Sequence, residues 1–277
     1  MRAFGWESLN VSKAVSFVEE RGTALERYTL NFLLGKERND EIPLRHLRML
    51  QQENGGFPYN DEEGKASCVN AASNNLSLML ELGLERSDVC RKAVEYLFRV
   101  QGEDGSWSEN EAIKRYDPPF WDAPNDLRTT LWLTANITNL LVQMGYKNSP
   151  SVRKAVGFLL KNRDNEGKFG GFLHTTWISV GVFGQLEGSD SDVVKNALKV
   201  IERNFERLKD AAGDLAWCLE CFCVAGIPKE NPLVKRCIEG LVNIQQEDGT
   251  WKSGDGEEFA VSTTINVLRI LKRYEVW

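Results

Sequence analysis

The stretch KAVEYLFRVQGEDGSW, Lys92 to Trp107, holds an amphipathic helix and the turn that stops it. Ala93, Val94, Leu97 and Phe98, with Gln101 after them, recur at three- and four-residue spacing, so they line one helix face, and the glycines that follow end the helix. Such a unit cannot bury its own apolar stripe. The spacing returns along the chain: shifted by 50 residues, QQENGGF (Gln51 to Phe57) lies over QGEDGSW (Gln101 to Trp107), and QQEDGTW (Gln245 to Trp251) is a further copy. KAVGFLLKNRDNEGKF, Lys154 to Phe169, keeps the Lys-Ala, the aromatic-Leu pair and the glycine but carries Arg163 and Phe169 in place of Gln and Trp. NVSKAVSFVEERG, Asn10 to Gly22, repeats the opening. Repeats of this length stack as supersecondary units that bury a core between neighbours.

With 277 residues, 42% hydrophobic and 27% charged, the composition is that of an ordinary globular protein, and the repeats favour one domain, 1–277, over two small ones. A formal charge of −6 with no basic stripe argues against nucleic acid as a partner. No apolar run reaches the length of a membrane span, and the opening MRAFGWESLN lacks the apolar core of a signal peptide, so a cytoplasmic location is expected. The six cysteines then read as reduced thiols, without the paired spacing of a zinc ribbon.

The pattern basic, Ala, x, x, aromatic, Leu, three residues, Gln, three residues, Gly, x, Trp resembles the QW motif of squalene and oxidosqualene cyclases. On it the chain is similar to the terpenoid cyclase and protein prenyltransferase superfamily, a squalene-hopene-cyclase-like repeat protein of the α/α toroid kind. The motif is specific for that fold and weak for any one activity. The resemblance implies that the Gln and Trp residues tie outer helices together, a structural role.

The expected fold is therefore all-α: a single α/α toroid of six helical hairpins forming an α6–α6 barrel, with pairs at about 10–36, 43–84, 88–146, 150–187, 190–227 and 231–274. The first helix of each pair carries Lys, Arg and Glu on one face and suits an outer ring. The second, as in LRTTLWLTANITNLLVQM and SVGVFGQL, has few charges and suits an inner one. Links entering the inner helices are longer and more varied than those leaving them, which marks a working end. The longest, SENEAIKRYDPPFWDAPN from Ser108 to Asn125, reads equally as a lid or as an ordered loop pinned by Phe120 and Trp121.

Helix N-termini present unpaired N–H groups and partial positive charge, so converging inner-helix starts suit an anion such as a diphosphate. In class II terpene cyclases an Asp-x-Asp-Asp-Thr motif sits at one such start and protonates an alkene. The nearest match is Asp126, Leu127, Arg128, Thr129, Thr130, which has Arg128 where the family has its proton-donating Asp; arginine is no useful acid, which argues against standard proton-initiated cyclisation. In protein prenyltransferases Asp, Cys and His from neighbouring inner helices hold zinc. His174, Asp214 and Cys218 form a faint version, but their spacing and order depart from that pattern, which argues against a resident zinc or magnesium ion. The bland alternative is a hydrogen-bonded histidine and buried thiols. Trp121, Trp132, Trp177 and Trp217, near inner-helix starts, suit either a core or an isoprenoid-binding wall.

Two functions follow from these expectations. The first is a protein that binds or processes an isoprenoid at the inner-helix mouth, with Asp126, Asp214 and His174 as candidate catalytic groups and Arg128 and the four tryptophans as ligand contacts. The second is a non-catalytic toroid that binds a protein or ligand. A prenyltransferase beta-like subunit, needing a helical partner, is a further alternative that no conspicuously apolar outer helix supports.

Overall fold

Asn10, Thr23, Ser87, Ser149 and Asn231 each stand just before an amphipathic run, and in a computed structural model each caps a helix with its side-chain oxygen. Thr23 does so within a capping box completed by Glu26. The structure describes residues 9–36 and 38–277; the opening MRAFGWES, read above as no signal peptide, lies outside them. The class is all-α. The helices are α1 (Val11–Arg21), α2 (Ala24–Leu33), α3 (Glu41–Leu50), α4 (Val69–Glu81), α5 (Asp88–Val100), α6 (Leu127–Gln143), α7 (Pro150–Lys161), α8 (Leu173–Glu187), α9 (Asp192–Arg203), α10 (Ala212–Val224), α11 (Pro232–Asn243) and α12 (Ala260–Arg273). A two-residue hairpin, β1 (Phe57–Pro58) and β2 (Ser67–Cys68), precedes α4. The helix expected from Asp190 to Leu208 is shorter: it starts after Ser191 and gives way at Asn204 to a single 3-10 turn, Phe205–Arg207.

The chain forms two compact units, one of residues 40–200 and one that joins Ile201–Trp277 to the residues before Asp40. Within the first, α4, α6 and α8 pack side by side, with α5 against α4 and α7 against α6. Within the second, α2, α12 and α10 do the same, with α1 against α12 and α11 against α10. The low-charge helices are thus the buried ones, as their sequences require: thirteen of the seventeen residues of α6 are buried. The approach of α6 to α8 depends on Gly181, where a Cβ would lie 2.7 Å from Asn139 Oδ1. That oxygen instead accepts a 3.0 Å hydrogen bond from Gln185 Nε2.

The repeated stretch behaves alike wherever it occurs. Gln101 Nε2 donates to Gly105 O in its own turn and to Ser151 O at the start of α7; Gln51 Nε2 does the same to Gly55 O and Val89 O, and Gln245 Nε2 to Gly249 O and Asn10 O. Trp107 and Trp251 are fully buried, and their Nε1 atoms donate to Leu97 O and Leu241 O, both at 2.7 Å. Gly105 makes the turn possible on two counts: its φ is +92°, and a Cβ would meet the Lys154 carbonyl carbon at 2.4 Å. The variant copy closes without the amide, through a backbone bridge between Arg163 and the fully buried Phe169.

Candidate functional site

Within the 40–200 unit, the segment 108–125 covers the starts of α4 and α6. It contains two 3-10 turns, Glu111–Tyr116 and Phe120–Asp122. Its pins are not Phe120 and Trp121, which are 58% and 44% exposed. They are carboxylates. Glu109, 4% exposed, accepts backbone N–H bonds from Val69 (3.0 Å) and Asn70 (2.6 Å) in the first turn of α4 and from Asn110 (3.1 Å). Asp122, 5% exposed, accepts Asn70 Nδ2 at 2.8 Å. Tyr116 adds a further anchor, stacking on Tyr59 with centroids 5.6 Å apart while its hydroxyl accepts Ala66 N–H at 3.0 Å. Rings alone would leave this segment free to slide; backbone-directed carboxylates fix it.

Burial governs how these acids titrate. Desolvation outweighs the three N–H bonds at Glu109 and raises its pKa to about 7, with the charge of Asp122 adding to the rise. Asp122 is raised to about 6, again by burial. The group expected to anchor chemistry, Asp126, behaves in the opposite way. It caps α6, accepting Arg128 N–H at 2.7 Å and Thr129 N–H at 3.4 Å, and its carboxylate is paired with the Arg128 guanidinium through Nε (3.1 Å) and Nη2 (2.9 Å). These bonds lower its pKa to about 2.

Next to this pair lies an aromatic cluster. Phe120 meets Trp121 edge-on at 4.9 Å and Phe172 at 5.8 Å; Phe172 meets His174 at 5.0 Å; His174 meets both Trp132 and Trp177 at 5.8 Å. The Arg128 guanidinium carbon sits 5.5 Å from the Phe172 centroid and 6.0 Å from that of Phe120. Trp132 Nε1 donates to Trp121 O at 2.8 Å and Thr129 Oγ1 to Phe120 O at 3.3 Å, so α6 fixes the backbone under the exposed rings. Burial lowers the His174 pKa to about 4, and its imidazole is neutral at ordinary pH.

The structure thus brings together Trp121, Asp126, Arg128, Trp132, His174 and Trp177. Asp214, Trp217 and Cys218 belong to the other unit. There Asp214 lies in the first turn of α10 with its pKa raised by burial, and Cys218 is fully buried beside Cys237, its thiol pushed far up. Such thiols are inert rather than ligating. Among the described residues no group of three or more His, Cys, Asp and Glu side chains is placed to hold a metal ion. Two of the three inner starts in the 40–200 unit have their N–H groups taken, those of α4 by Cys68 and Glu109 and those of α6 by Asp126, while α8 starts after Phe172 without a side-chain cap.

Glu109, Asn70 and Phe172 escaped the sequence reading as site residues. Glu109 follows Trp107 by two positions in a charged loop, and nothing local separates it from Glu103 or Glu111. The one usable signal was that the turn after a buried indole must run straight back to the neighbouring inner helix.

The fold is that of solved terpene-cyclase-like helical proteins. A protein from Actinoplanes matches at TM-score 0.66 and 17% identity, covering 96% of this chain and 98% of that one. The type II terpene cyclase MstE from Scytonema matches at TM-score 0.63 and 14% identity over 98% of both chains. An arginine-to-alanine variant of MstE, in complex with its substrate geranylgeranyl dihydroxybenzoate, matches at TM-score 0.60 and 14% identity, covering 97% of this chain and 96% of that one. No protein-family model and no curated protein sequence matches the chain. Among the described residues no helix is long and apolar enough to cross a membrane.

Proposed function

We propose that the protein is terpenoid-cyclase-like in function as well as fold and binds an isoprenoid against the aromatic cluster at the starts of α6 and α8. The observation that carries this reading is the run of touching rings from Trp121 to Trp177, solvent-facing at Phe120 and Trp121 and backed by neutral His174. A hydrocarbon chain gains about 0.8 kcal/mol for each CH2 taken out of water onto such a surface. The likeness to MstE, whose complex contains a prenylated benzoate, supports the class of ligand. The proposal is confined to residues 40–200.

The prenyl chain, not a diphosphate, is the recognised part. Arg128 is neutralised by Asp126, and the N-termini of α4 and α6 already bond to side chains. Arg128 occupies the position of the family's acid, and Asp126 is held ionised, so neither supplies a proton. The carboxyl in the same turn as Phe120 and Trp121 is Asp122, whose pKa is raised to about 6, so that it holds its proton up to about that pH. The reading of the chain as a non-catalytic binder rests on the missing acid at position 128 and differs only in denying Asp122 this role.

Thermal-shift titration tests the proposal. Geranylgeraniol and geranylgeranyl diphosphate should both raise the melting temperature, and by similar amounts, since a ligand that binds only the folded chain stabilises it. Trp132→Ala should abolish both shifts, whereas Lys92→Ala on the outer face of α5 should not. No shift by either compound at about 100 µM, or one confined to the diphosphate, refutes the reading. Turnover lost in Asp122→Asn with binding intact separates enzyme from binder.

A further inference from the structure

We propose that the 108–125 segment is a proton-linked strap, docked on α4 while the Glu109–Asp122 pair retains a proton and lifting when both carboxyls are ionised. Both acids belong to one segment, both are at least nine-tenths buried, and both bond to the same residue of α4: Glu109 to the Asn70 N–H, Asp122 to the Asn70 amide. The strap is held as well by the fully buried Ile113, by Tyr116 against Tyr59 and Ala66, by Asn110 Nδ2 on Ser67 O, and by the two α6 side chains at Phe120 and Trp121. To these contacts the two carboxylates add a hold that depends on protonation.

The groups facing Glu109 add no cation. They are Asp122 on the strap, Tyr59 and Cys68 on the hairpin, and Tyr96 on α5, each of which it disfavours as an anion; only the positive end of α4 opposes them. Asp122 faces Asn70, Tyr59 and Cys68. Two ionised carboxylates in this space repel each other, while water would solvate both once the strap lifts. A proton on the pair relieves the repulsion. It also supplies a donor where one is missing, because Asn70 Oδ1 is buried without a hydrogen-bond partner among the described residues. The docked strap thus binds protons more tightly than the lifted one. Linkage gives the sign: docking is fully favoured below the ordinary carboxylate range and weakens as pH rises through about 6 for Asp122 and about 7 for Glu109. The strap carries Phe120 and Trp121, so lifting it would dismantle part of the isoprenoid wall; that consequence rests on the preceding proposal, whereas the docking equilibrium does not.

Amide hydrogen exchange of the ligand-free full chain reads this equilibrium without any isoprenoid, so its failure is distinct from failure of the binding proposal. Protection should be measured from about pH 4 to 8.5, each rate being divided by the intrinsic rate at that pH. Peptides covering 108–125 should lose up to about tenfold in protection per carboxyl for each pH unit between the ordinary carboxylate range and about 6 for Asp122 or about 7 for Glu109, and level off above, while peptides within α6 keep theirs. In the Glu109→Gln, Asp122→Asn double variant the strap should exchange at a pH-independent level. Flat protection in the parent protein, a pH step shared by α6, or a step that survives in the double variant overturns the proposal. Should the double variant not fold, the parent series read against α6 decides alone.

Discussion

Gln101 and Ser151, 50 positions apart, are joined by a 3.0 Å hydrogen bond from the glutamine amide to the serine carbonyl, in the first turn of α7. The same amide closes its own glycine turn on Gly105 O. One side chain therefore sets the turn and docks the next outer helix. Gln101→Leu removes the shared donor of both bonds in a partly buried site and should cost about 1–3 kcal/mol, measured by denaturant unfolding. An unchanged midpoint would show that water replaces the amide.

Trp107→Ala and Trp251→Ala should each destabilise by about 3–5 kcal/mol, since each indole is fully buried and hydrogen-bonded. Melts matching the parent would refute the assignment of these residues as the anchors of their repeats.

Gly105→Ala should be worse than a helical Gly→Ala exchange, which usually stabilises. The positive φ and the Lys154 backbone both oppose a Cβ. Gly157, on α7 with open space around its Cβ position, is the internal control: Gly157→Ala should hold or raise the melting temperature.

Asp126 should titrate near 2 in the parent and return towards its ordinary value in Arg128→Ala, because the guanidinium is the main cause of its depression. The pair's contribution to stability is then present above about 4 and is lost as pH falls through about 2. Carboxyl carbon NMR of the two proteins measures this directly; equal values would mean the pair is not formed in solution.

Zinc and magnesium are expected to be absent from purified protein, with Asp214 half-buried and Cys218 buried in a unit whose thiols are held protonated. Metal analysis checks it, and stoichiometric zinc lost in Cys218→Ala would reverse the expectation.

The fold was legible because its signals are periodic. Gln51, Gln101 and Gln245 share one spacing and one pair of bonds, and the low-charge runs proved to be the buried helices. The site was legible in part. Trp121, Trp132, His174 and Trp177 stood near helix starts, where the spacing of α6 and α8 brings them into contact. What the sequence hid was direction. Whether Phe120 faces the core or the solvent, and whether Glu109 reaches α4, depends on the path of an aperiodic segment with three prolines, and composition carries no such information. Arg128 was legible as a cation at a helix start, but its capture by Asp126 two residues earlier is a rotamer choice.

The Gln245 tie also has a temporal meaning. It bonds to Asn10, 235 positions away, in a unit where α1 and α2, packed on each other, gain α12 only from Ile201–Trp277. Residues 40–200, by contrast, form their unit from continuous chain. During synthesis, which proceeds from the N-terminus, α1 and α2 emerge before the middle unit and complete their packing after it, their faces towards α12 uncovered while residues 40–200 are made and fold. Nascent chains stalled once residue 200 has emerged should accordingly protect α6 from protease while α1 remains cleavable, which makes α1 and α2 dependent on chaperones until α12 is made.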